Sequence, residues 1–145
     1  MRRFLMTVAL CATASTAFGD EPVVYTTDDG FDDVTFGLEN AILDEGLVID
    51  SVSHTGDMLE RTKADVGSDE TLYTNAEIYS FCSAALSRKV MEIDPMNLQY
   101  CPYDIFVAQR PGEPVMIGYR TFPEGEMQEI QQLLDSITRT AIGLD

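Results

Sequence analysis

Near the C-terminus, Met127, Ile130, Leu134, Ile137 and Ala141 recur every three or four residues, while Glu126, Gln128, Glu129, Gln132 and Arg139 fall on the other side. That is the spacing of a helix with one apolar stripe, and such a helix covers one side of a sheet. A chain of 145 residues has room for one core. The remaining residues must therefore supply the surface that the stripe lies on.

They read as strands and helices in turn. Val23 to Thr27 is β-rich and ends at Asp28, Asp29 and Gly30. Phe31, Val34, Leu38, Ala41 and Ile42 keep helical spacing; Asp32 and Asp33 favour its first turn, and Gly46 stands where a left-handed cap is needed. Leu47 to Ser53 reads as a second strand. Thr55 or Asp57 is expected to cap a short helix through Met58, Leu59 and Val66 that stops at Gly67. Ala76 to Cys82 reads as a third strand, and Ser83 caps a helix that Asp94 and Pro95 end. Tyr103 to Gln109 and Val115 to Phe122 flank Arg110, Pro111, Gly112, Glu113 and Pro114, a hairpin around a Pro-Gly turn. With Gln109 facing Val115, Asp104 comes opposite Arg120 as a cross-strand ion pair. The order β-α-β-(α)-β-α-β-β-α fits an α+β sandwich with a mostly antiparallel sheet.

The first residues have another purpose. Arg2 and Arg3 precede the apolar run Phe4 to Leu10, and small residues lead to Ala17 and Gly19, the pattern of a secretory signal peptide over residues 1–19. A single domain, 20–145, is then expected in the periplasm or outside the cell, with no membrane attachment after cleavage, because the apolar run is too short to span a bilayer. Cleavage removes two arginines and no acid, taking the net charge from -16 to -18. A surface of that sign repels nucleic acid and anionic lipid, and it steers cationic proteins or metal ions toward itself.

Cys11 leaves with the signal, so the exported chain keeps Cys82 and Cys101. An even pair in an oxidising compartment is expected to be bonded, and closing a loop of about 20 residues contributes roughly 3 kcal/mol. Two other readings stay open: free or ligand-binding thiols, and a redox-active Cys82 made acidic by its place just before a helix N-terminus. His54, the one histidine, is the sole imidazole for a base or a metal ligand. With Cys82 and Cys101 it makes three ligands of the type zinc or copper takes, yet spacings of 28 and 19 residues match no standard finger. Asp28, Asp29, Asp32 and Asp33 crowd one turn without the order of a calcium loop, and read as helix-start decoration. Met58, Met91, Met96, Met116 and Met127 read as core filler. No phosphate-binding glycine loop, dinucleotide fingerprint, nucleophile elbow or zinc-protease helix occurs, and no motif names a cofactor.

Three blocks carry a resemblance: Phe81-Cys82-Ser83-Ala84-Ala85-Leu86-Ser87-Arg88, Met91-Glu92-Ile93-Asp94-Pro95, and Cys101-Pro102-Tyr103-Asp104-Ile105, followed by Gly118-Tyr119-Arg120. Together they resemble the exported proteobacterial branch of domain of unknown function family 302, from about Val23 to Phe122. Where that family often has Cys-Asn before its second helix and Pro-Cys at the next strand, Ser83 stands for the Asn and Tyr103 for the second Cys, with Cys101 two residues earlier. The resemblance implies a compact α+β fold similar to the TATA-binding-protein-like topology, an ability to form homodimers, and no catalytic activity.

Three functional expectations follow. The first is a periplasmic, non-enzymatic binding or accessory domain for an unidentified small ligand or cationic protein. The second is a thiol-based redox or metal-handling protein using Cys82, Cys101 and His54. The third is a self-associating module whose sheet or helix face makes a homodimer.

Overall fold

The computed structural model describes residues 21–144; the expected signal peptide, with Cys11, lies outside them. Five strands and four helices follow in the order β1 (Val23–Thr27), α1 (Phe31–Asp44), β2 (Val48–Ser53), α2 (Thr55–Thr62), β3 (Asn75–Cys82), α3 (Ala84–Ile93), β4 (Tyr103–Gln109), β5 (Val115–Tyr119) and α4 (Gln128–Ala141). The fold is α+β. One sheet has the order β1-β5-β4-β3-β2, and every neighbouring pair is antiparallel.

Strand alternation puts Tyr79 and Phe81 of β3, Tyr103, Ile105 and Val107 of β4, and Val115, Ile117 and Tyr119 of β5 on one face, and all are buried. Val34, Leu38 and Ile42 of α1, with Ile130, Leu134 and Ile137 of α4, close the core over them. The single stripe on α4 thus meets the surface it required. After α1, Gly46 takes φ 72°, a left-handed geometry that a side chain would strain.

Several local expectations change. Neither Thr55 nor Asp57 caps α2; His54 holds the cap position without a side-chain capping bond, and Thr55 is already helical. The apolar positions continue past α2 as a separate 3-10 turn, Ala64–Val66, ended by Gly67 at φ 74°. Ser83 does cap α3, its Oγ accepting from Leu86 N at 3.4 Å. Beyond Pro95 lies a 3-10 helix, Pro95–Tyr100, whose first turn Asp94 caps by accepting from Met96 N at 2.9 Å. Strand β5 stops at Tyr119 instead of Phe122, because Phe122 turns into the core against Tyr100 and Tyr103. Met127 is core filler as read, whereas Met58 and Met96 are exposed.

Edge strand β2 is interrupted: its register shifts between Ile49 and Ser51, so Asp50 bulges out of the ladder.

Candidate functional site

Cys82 ends β3 and Cys101 follows the 3-10 helix, and the fold brings their sulfurs to 2.6 Å as two half-buried thiols. Burial, then the neighbouring Cys101, pushes the Cys82 thiol up to about 12. This is opposite to the acidic thiol expected from the helix start: removal from water and the neighbouring sulfur hold the proton on. Exposed Val48 pairs with Cys82, and the carbonyl of exposed Leu98 accepts from Cys101 N at 3.1 Å.

His54 does not join them. It follows Ser53, which pairs with Ile78, so four residues of β3, about 13 Å at ~3.3 Å each, separate its neighbourhood from Cys82. Its Nδ1 instead lies 2.8 Å from Glu77 Oε1; a carboxylate accepts only, so the ring donates from Nδ1. Tyr79 donates to the other oxygen of Glu77 at 2.8 Å, and burial followed by that carboxylate raises the phenol well above its ordinary range. Among the described residues no three His, Cys, Asp or Glu side chains converge to hold a metal ion. The three-ligand expectation fails because Cys82 and His54 belong to opposite ends of the β2-β3 ladder.

Asp104 and Arg120 stand opposite one another beyond the Ile105–Tyr119 pair, with Nη2 3.8 Å from Oδ2. The shorter bond of Asp104 is to Ser80, whose Oγ donates at 2.6 Å. A second carboxylate escapes sequence reading altogether: Asp135 on α4 accepts from Tyr25 and Tyr119, each at 2.7 Å. Burial, then Asp135, pushes the Tyr119 hydroxyl far up.

The sheet's other face is the larger discovery. Register places Ala76, Ile78 and Ser80 of β3 beside Ala108, Phe106 and Asp104 of β4, with Met116 and Gly118 of β5, and Arg120 just beyond it, next to them. None of these side chains belongs to the core cluster or packs against it. A Cβ on Gly118 would stand 2.8 Å from Phe106 Cζ, so the missing side chain is what lets the ring lie across β5. An open trough of about 270 Å³ crosses this face between Tyr73, Thr55, Ala76, Ile78, Phe106 and Ala108. The sequence did carry its signal: Ile105-Phe106-Val107-Ala108 and Val115-Met116-Ile117 are apolar on both faces, where a half-covered strand ordinarily alternates.

No family model matches the sequence, and no curated protein matches it. Among solved structures, the uncharacterized conserved protein DUF302 from Bacillus stearothermophilus is similar with a TM-score of 0.61 and 15% identity, over 85% of this chain and 94% of that one. The fold is of the DUF302 type. At that identity the likeness concerns the fold alone; the DUF302 architecture accounts for the sheet and its helices, and the site rests on this chain's own residues.

Proposed function

We propose that this chain is an exported, non-enzymatic binding or accessory domain of the proteobacterial DUF302 branch, working in the periplasm, with the uncovered sheet face as its binding surface. The observation that carries this reading is the separation of the two faces: the core takes no side chain from the Ile78, Phe106 and Met116 side, although that side is apolar at its centre. Apolar surface left in contiguous patches on a soluble domain marks a place of interaction, and an apolar trough with few polar groups suits a small ligand. Cys82 and Cys101 serve as the staple of this domain. Closing their bond requires the sulfurs to approach from 2.6 Å to the ~2.05 Å of a disulfide. A thiol raised to about 12 suits a structural partner better than a nucleophile.

Binding is tested with the neutral, solvent-sensitive dye Nile red. The wild-type chain should brighten the dye saturably, and Phe106→Ala should weaken that response without unfolding the domain. An unchanged response in Phe106→Ala places the dye elsewhere and overturns the reading.

A second reading, the homodimer, has one observation in its favour. In a chain of net charge -16, the paired positions of this face carry only Asp104 and Arg120, which neutralise one another. Two acidic copies approach most easily where their charge is least. Sedimentation at rising concentration should then show a dimer that Phe106→Glu dissociates; a monomer throughout overturns it.

A further inference from the structure

The trough does not end at the sheet. Tyr73, on the segment that leads into β3, lines it and also lines a second cavity of about 470 Å³, bounded by Glu70, Thr71, Leu72 and, from the β4-β5 turn, Arg110 and Glu113. Tyr73 therefore borders both, an apolar floor and a charged rim. The rim holds two carboxylates against one guanidinium. Among the described residues neither Glu70 nor Glu113 makes an ion pair. Lys63, the nearest lysine through its 3.0 Å bond to Thr71, is already bound by Glu60. Glu77, beside the floor, alternates with Ala76 and Ile78 onto the covered face, where both of its oxygens are taken by His54 and Tyr79.

We propose that this composite site binds a small amphipathic amine, its apolar body on Ala76, Ile78, Phe106 and Ala108 and its ammonium between Glu70 and Glu113. The inference rests on the binding role given above to the open face and adds the chemical class of the ligand. A volume of about 270 Å³ for the floor is at the small end of ligand sites, matching a body of about one ring. The unpaired carboxylates attract a cation. The face of Tyr73 adds a cation–π contact beside them. The chain's overall charge of -16 raises the local concentration of cations and lowers that of anions.

Three probes of one shape separate charge from hydrophobicity: phenethylamine, the neutral 2-phenylethanol and the anion 3-phenylpropionate, each competed against Nile red. Phenethylamine should displace the dye at the lowest concentration and 3-phenylpropionate at the highest, with the difference shrinking in high salt. The double variant Glu70→Gln with Glu113→Gln, on exposed loops, should weaken phenethylamine about fivefold to tenfold and leave Nile red binding unchanged. If the anion competes as well as the amine, or the double variant binds the amine as before, the ligand class is wrong while the binding face stands. If Nile red itself does not bind the face, both readings fall.

Discussion

Strand β4 puts two kinds of surface back to back. Tyr103, Ile105 and Val107 point under α1 and α4 and are fully buried; Asp104 and Phe106 alternate with them, are only half-buried and lie outside the core cluster, while the small Ala108 beside them is buried. The backbone, the register and the neighbouring strands are the same for both sets, so the difference lies wholly in what covers them. Apolar side chains on the covered face generate stability by leaving water. Those on the uncovered face have left it only in part, and their remaining hydrophobic free energy is still available to a ligand. One sheet thus separates folding from recognition by a single residue of phase.

The largest expected effect tests that separation directly. Ile105→Ala should cost about 2–5 kcal/mol in urea unfolding, and Phe106→Ala distinctly less while it weakens dye binding; equal losses would mean that the second face belongs to the core. Next comes the staple. If the sulfurs bond, Cys82→Ser with Cys101→Ser should lower stability by roughly 3 kcal/mol and leave Nile red binding intact, and thiol titration of the unfolded, unreduced protein should find no free thiol. Two free thiols would remove the staple. Alkaline pH addresses the covered face once the raised Cys82 thiol is removed, in the Cys82→Ser with Cys101→Ser variant. Tyr79 and Tyr119 have phenols raised above their ordinary value by burial, so the folded state resists their ionisation. Their contribution is complete below pH ~10 and is lost as pH rises beyond it, by up to ~1.4 kcal/mol per pH unit for each phenol. Urea midpoints from pH 9 to 11 should fall, and a flat profile would contradict the burial assigned to these rings. The smallest effect is at the polar end of the open face. Asp104→Asn should change stability by at most about 1 kcal/mol, because Arg120 stands 3.8 Å away and 56% exposed.

What the sequence made legible follows the range of the forces involved. The hairpin register, with Gln109 opposite Val115, is dictated by the turn between them, and Asp104 falls opposite Arg120 as a result. The bounds of β1, the left-handed Gly46 and the Ser83 cap are equally local. The Tyr25–Asp135 bond joins residues 110 apart in the chain, and no local pattern announces it. His54 and Glu77 meet because β2 and β3 pair, not through any spacing. The proximity of Cys82 and Cys101 was readable as arithmetic, yet the high affinity of Cys82 for its proton depends on burial that only the packed chain supplies. The trough and its Tyr73 rim required knowing which face the helices leave bare.

The bulge at Asp50 limits how these molecules can aggregate. Endless growth of a sheet from subunit to subunit needs two compatible borders, one to offer and one to receive. Here the β2 border is kinked and carries an acid where the next chain would dock. Whatever β1 does on the opposite border, a kinked, acidic β2 disfavours the second pairing that edge-to-edge growth would need.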